Sequence, residues 1–133
     1  MISDLRLVID VGNTSIKMVC FDGRNVIEEV RVNNISQKES FDFISKYKFS
    51  YGIYCSAVVI GDYFNDFVNN LSIPMMHFVP GITPIPIKNL YKTPLTLGAD
   101  RLAAAIGASV NNKGANILVI DVGTCITDRK SVV

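Results

Sequence analysis

Three aspartates, each two residues from a glycine, carry the chemistry this chain can do. Asp10 and Asp121 each open a Val-Gly turn, in Asp10-Val11-Gly12-Asn13-Thr14 and Asp121-Val122-Gly123-Thr124. Asp100 sits in Gly98-Ala99-Asp100-Arg101. In the first two, glycine lets backbone N–H groups approach a ligand closely, and amide or hydroxyl side chains follow at once. Backbone amides and hydroxyls at a tight turn make a phosphate cradle. A carboxylate beside that cradle can hold a divalent cation, directly or through water. Lys17, just beyond Thr14, can neutralise phosphate charge. Taken singly, each turn is also ordinary hairpin chemistry. The whole hexapeptide Leu-Val-Ile-Asp-Val-Gly, however, occurs twice, at Leu7–Gly12 and Leu118–Gly123. A repeated strand, aspartate and glycine point to an internally duplicated fold.

The third aspartate lies at the start of an Ala- and Leu-rich helix. An acid there meets the positive end of the helix dipole, which is explanation enough for a lone Asp-Arg pair. The same helix end also suits an anionic substrate. A carboxylate within hydrogen-bonding range of a hydroxyl can act as general base. Arg101 is either half of a surface ion pair or an anion-recognition group. His77, in Met-Met-His-Phe-Val, reads as structural, and Met75 and Met76 as core.

The elements that must position these residues follow from apolar spacing. Leu5–Asp10 is a near-continuous apolar run, expected of a central strand buried on both faces. Strands at 16–21 and 26–32, separated by the Asp22–Asn25 turn, continue an antiparallel meander. The spacing predicts a helix over 36–46 with Ser36 as N-cap, a strand over 51–59, a helix over 63–71 and a short strand over 75–79. Pro80–Pro94 holds all but one of the five prolines and reads as an extended loop. A helix over 99–110 and a strand over 116–121 complete the pattern. Strands in a meander, then alternating with helices, predict an α/β domain with a mixed sheet.

Bulk properties narrow the class. The chain has 133 residues, 49% hydrophobic and 19% charged, enough for a core and against disorder. A net charge of +1 gives no electrostatic reason to expect nucleic acid or a membrane surface. Lys46-Tyr-Lys-Phe-Ser-Tyr51, the densest basic–aromatic stretch, reads as a helix end running into a strand. No apolar run reaches membrane-spanning length. The acidic start lacks the apolar core of a signal peptide, so a cytoplasmic protein is expected. Cys20, Cys55 and Cys125 are odd in number and lack C-x-x-C spacing, so buried thiols are expected, with no disulfide or metal site.

The three elements in this order resemble the type III pantothenate kinases, of the actin-like (ribonuclease H-like), sugar-kinase-like phosphotransferase superfamily. Asp-x-Gly-Asn-Thr is shared by the superfamily; Leu97-Gly98-Ala99-Asp100-Arg101 is the more specific match. The resemblance implies an actin-like mixed-sheet domain with flanking helices. It also implies ATP-dependent phosphorylation of pantothenate, the first step of coenzyme A synthesis. The cofactors implied are Mg²⁺ and a monovalent cation, K⁺ or NH₄⁺. By motif match, Asp10, Val11, Gly12, Asn13, Thr14, Ser15, Ile16 and Lys17 would contact ATP phosphates, with Asp10 organising Mg²⁺. Tyr91, Gly98, Ala99, Asp100 and Arg101 would bind pantothenate, with Asp100 as general base. Asp121 would hold the monovalent cation and Thr124 the ATP phosphates.

Members of the family are about twice this length and dimerise largely through their second half. The expected organisation is therefore a first actin-like domain at 1–114 and the opening strand and turn of a truncated second domain at 115–127. Residues 128–133, Asp-Arg-Lys-Ser-Val-Val, match one reading frame of a common sequencing adapter and are expected to be a non-native tail. Such a fragment is expected to be inactive and to leave an apolar strand edge exposed. Two other functions fit an actin-like chain. One is an ATP-driven activator, which would carry cysteines for an iron–sulfur cluster at a spacing absent here. The other is a regulatory or accessory ATP-binding protein without kinase activity, against which the presence of both Asp10 and Asp100 argues.

Overall fold

The computed structural model describes residues 4–122, and the backbone of the strand Ile126–Ser131. The chain forms two compact units, Met1–Phe78 and Val79–Val133.

In the first unit, β1 (Leu5–Val11), β2 (Ile16–Asp22) and β3 (Asn25–Val32) form the expected antiparallel meander. Helix α1 (Lys38–Lys46) then returns the chain to β4 (Phe49–Ser56), parallel to β1. Helix α2 (Asp62–Asn69) returns it to β5 (Met75–His77), parallel to β4. The sheet order β3-β2-β1-β4-β5 puts β1 in the middle. This is a mixed α/β sheet of actin-like form.

Burial on β1 alternates. Leu7, Ile9 and Val11 are buried, whereas Arg6, Val8 and Asp10 are only half-buried. Successive side chains face opposite sides of a sheet. One side packs with Phe43 of α1 and Phe64, Phe67 and Val68 of α2 in a single core. The expected burial on both faces is complete on one and partial on the other: α1 and α2 share the buried side, where Phe41 meets Phe67 edge-on at 5.7 Å. The apolar run recorded a central strand but could not say how each face is covered.

Three element ends also differ from expectation. Ser36 is not the N-cap: α1 starts at Lys38 with Gln37 preceding it. The Ser36 hydroxyl instead donates to Asn34 Oδ1 at 3.0 Å, and Gln37 Oε1 accepts from the backbone N–H groups of Asn33 and Asn34, at 2.6 and 2.9 Å. Strand β4 ends at Ser56, whose hydroxyl donates to the Val58 carbonyl and accepts from the Val58 N–H; this local turn competes with the ladder. Strand β5 is only three residues long, and its Met76 is exposed.

An ion pair ties α1 to the sheet. Lys46 Nζ and Tyr47 Oη both donate to Glu28 of β3. These two hydrogen bonds, that from Lys46 first, hold the Glu28 carboxyl below its ordinary range. The basic–aromatic stretch 46–51 is thus a helix end entering a strand, as its composition indicates. His77 stacks on Tyr54, 4.5 Å between ring centroids.

In the second unit, an extended proline-bearing segment leads through a short 3-10 turn, Pro94–Thr96, into α3 (Ala99–Asn111). Strand β6 (Ile117–Val122) follows and pairs antiparallel with β7 (Ile126–Ser131). Asp128–Ser131, within the stretch expected to be a non-native tail, pair in β7 opposite Ile120–Ile117. Among the described residues, no helix is long and apolar enough to cross a membrane.

Candidate functional site

The first Asp-Val-Gly turn links the central strand to its hairpin partner. The Gly12 N–H donates to the Ser15 carbonyl at 2.9 Å. A side chain at Gly12 would bring its Cβ to 3.1 Å from that same oxygen, closer than such contacts normally come. Glycine suits this close approach of backbone to backbone. The Val11 carbonyl accepts from Ala57 N–H at 2.9 Å, so the end of β4 braces the turn.

Val11 through Ile16 line a cavity of about 290 Å³. Asn13 and Thr14 are exposed and Ser15 is half-buried, so the polar side chains after Gly12 are open to a ligand. The cavity is completed by groups the motif does not name: Asn33 and Asn34 after β3, and Ile60, Gly61 and Tyr63 at the start of α2. The two asparagines were within reach of sequence reasoning, because a meander returns the end of β3 to the same edge as the β1–β2 turn. The α2 residues were not, since only parallel pairing of β4 brings them there.

Asp10 and Lys17 do not line that cavity. They are register partners across β1 and β2, on the sheet face opposite Ile9 and Val11. On Asp10's other side its register partner is Cys55 of β4, whose thiol donates to Asp10 Oδ1 at 3.7 Å. Cys55 is half-buried, not fully buried as expected, and Cys20 is fully buried. Burial, then the charges of Glu28 and Asp22, push the Cys20 thiol pKa up. Cys125 lies outside the described residues.

Among the described residues, no three His, Cys, Asp or Glu side chains gather to cage a metal. Mg²⁺ commonly binds through one or two carboxylates plus phosphate oxygens and water. Asp10, at the end of a strand and beside an open turn, fits that mode.

In the second unit, Gly98 precedes α3 and its carbonyl accepts from Leu102 N–H at 3.1 Å. Asp100 is half-buried in the first turn, its Oδ1 accepting from the Arg101 N–H at 2.9 Å. A Cβ at position 98 would stand 2.7 Å from that oxygen, so glycine leaves the room the carboxylate occupies. Arg101 is half-buried, Ala99 is buried, and Tyr91 is exposed with its N–H donating to Asn89 Oδ1 at 3.0 Å. Asp121 is exposed near the end of β6, in register with Thr127. Thr124 lies outside the described residues.

A mixed sheet whose central strand ends in an Asp-Val-Gly-Asn-Thr turn, with an antiparallel meander on one side and parallel β-α-β units on the other, fits an actin-like domain. Residues 6–129 match the family described as type III pantothenate kinase. Proteins named type III pantothenate kinase from Bacteroides fragilis and Flavobacterium johnsoniae are 37% identical over 123 residues and 38% over 129. One from Azobacteroides pseudotrichonymphae is 36% identical over 132 residues. These matches cover 92%, 91% and 91% of this chain and 50%, 50% and 49% of the respective relatives. The chain belongs to the type III pantothenate kinase family. It spans about half the length of the curated relatives it matches.

Proposed function

We propose that the full-length protein carrying this chain transfers the γ-phosphoryl group of ATP to the hydroxyl of pantothenate, giving 4′-phosphopantothenate for coenzyme A synthesis. The observation that carries this reading is the continuous family match over residues 6–129, which takes in both Asp-Val-Gly turns and the Gly98–Arg101 helix start.

The proposed roles follow from chemistry. The Gly12–Ser15 backbone, with the Asn13, Thr14 and Ser15 side chains, binds ATP phosphates, and Val11, Ile16 and Lys17 flank them. Thr124 binds phosphate from the second turn. Asp10 holds Mg²⁺, which supplies neutralisation of phosphate charge. Asp121 holds K⁺ or NH₄⁺. Tyr91, Gly98, Ala99 and Arg101 bind pantothenate, Arg101 on its carboxylate. Asp100 accepts the proton of the attacking hydroxyl. Phosphoryl transfer asks little covalent chemistry of a protein, so positioning and charge neutralisation carry the rate. Residues 1–114 serve as the first actin-like domain and 115–127 open the second. The working protein is a cytoplasmic homodimer.

The test is direct. Purified full-length protein is incubated with ATP, Mg²⁺, K⁺ and pantothenate, and the phosphorylated product is identified by mass spectrometry. Formation of 4′-phosphopantothenate with matching ADP supports the reading. ATP binding without pantothenate-dependent turnover would favour an accessory ATP-binding role instead.

A further inference from the structure

We infer that Cys55 is a positioning residue for the Asp10 carboxylate. The inference rests on the proposed role of Asp10 and adds a residue that no motif contains. The sheet carries it. Antiparallel pairing aligns Asp10 with Lys17 on one side, and parallel pairing aligns it with Cys55 on the other. Register partners project from the same face, so the three side chains form a row across β2, β1 and β4. The Cys55 thiol lies 3.7 Å from Asp10 Oδ1, within range of a sulfur donor.

The donor itself stands on a fixed support. It belongs to a strand of the main sheet, and the two residues after it are held in place. Ala57 N–H is bonded to the Val11 carbonyl, and Ser56 closes a turn onto Val58. A group on a strand orients its partner better than one on a loop. A thiol is also a weak donor. It biases the carboxylate towards one rotamer without competing with a cation for the oxygen, as a lysine in its place would. Groups that orient a metal-binding carboxylate govern metal affinity without touching the metal.

The experiment compares Cys55→Val, which keeps shape and loses the donor, with Cys55→Ser, which keeps a donor. Both are made in the full-length protein, with Asp10→Asn alongside. Binding of Mn²⁺, a paramagnetic stand-in for Mg²⁺, is read by water-proton relaxation in the presence of ATP. KM for Mg·ATP and kcat are measured separately. The expected result is about a three- to tenfold loss of Mn²⁺ affinity in Cys55→Val, at the low end of what such supporting groups contribute. Cys55→Ser stays within about twofold of wild type, and kcat at saturating Mg·ATP changes little in either. Wild-type affinity in Cys55→Val, or equal loss in both variants, overturns the inference while leaving Asp10 in its role, provided Asp10→Asn has lost Mn²⁺ binding. Wild-type binding in Asp10→Asn overturns the role of Asp10 and the inference with it. Should Cys55→Val not fold, the alkylation rate of Cys55 in the wild type serves instead. Slowing by Mg·ATP supports the inference, and an unchanged rate overturns it.

Discussion

The same six residues occupy two different environments in this molecule. In Leu7–Gly12, the leucine and isoleucine of the hexapeptide, Leu7 and Ile9, are fully buried, and Val11 is 7% exposed. In Leu118–Gly123, the equivalent Leu118, Ile120 and Val122 are 63%, 58% and 72% exposed. Both copies form strands, and both begin an antiparallel hairpin: Asp10 pairs with Lys17 and Asp121 with Thr127. What differs is the company. β1 has β2 and β4 beside it and α1 and α2 over one face, whereas β6 belongs to a two-stranded sheet. Local sequence specifies strand and turn; burial comes from the number of neighbours.

That contrast can be broken by matched substitutions. Leu7→Ala should cost roughly 2–5 kcal/mol, the range for emptying a packed core site. Leu118→Ala should stay within about 0.5 kcal/mol, as exposed positions do. Urea titration followed by circular dichroism reads both; equal costs would mean that the two copies are equally packed. The exposed stripe gives a second handle. A row of exposed apolar side chains promotes association, so the chain should self-associate at high concentration. Ile120→Lys should lower the associated fraction in sedimentation velocity, while Val26→Lys, on the edge strand β3, changes it less.

A smaller effect separates the two described cysteines. Cys20 is fully buried and its thiol pKa is raised, so it forms little of the reactive thiolate. Cys55 is half-buried and should be alkylated faster in the folded protein, as site-resolved mass spectrometry can measure. Faster labelling of Cys20 would show that the sheet opens on its α1–α2 side.

The smallest expected effect concerns Glu28. Its carboxyl pKa is lowered by the hydrogen bonds from Lys46 and Tyr47. A carboxylate with a depressed folded-state pKa adds stability above its unfolded pKa, and that stability is lost as pH falls through the folded value. The Lys46 pKa is raised by its hydrogen bond to Glu28, so its share is present below the unfolded lysine pKa and lost as pH rises through the folded one. The pair therefore acts between the carboxylate and lysine ranges. Glu28→Gln should slightly lower the melting temperature near neutrality and leave it unchanged in strong acid. An equal loss at both pH values would indicate packing as the cause.

Much of the fold was legible in the residues because it is local. The β1–β2–β3 meander is marked by Asp-x-Gly-Asn and Asp-Gly-Arg-Asn turns between apolar runs. The α2 face of Phe64, Phe67 and Val68 follows from helical spacing, and α3 opens at Ala99 as its composition predicts. The failures are where tertiary partners decide. Ser36 looked like an N-cap, but its hydroxyl donates to Asn34 Oδ1 in the preceding turn and the helix starts later, at Lys38. Asp10 was readable as a candidate ligand, whereas Cys55 beside it depends on a parallel register set by β4, and no local pattern records that. Tyr63 joins the cavity at the Gly12–Ser15 turn for the same reason, whereas Asn33 and Asn34 follow from the meander itself.

The central claim is that this chain carries the phosphate grip and the general base of a pantothenate kinase. It is tested most directly by Asp100→Asn in the full-length protein, measuring pantothenate-dependent ADP release under saturating ATP. The account predicts a fall in kcat of about a hundredfold or more, the usual scale for losing a general base, with the KM for ATP near that of the wild type. Wild-type kcat in Asp100→Asn would contradict it.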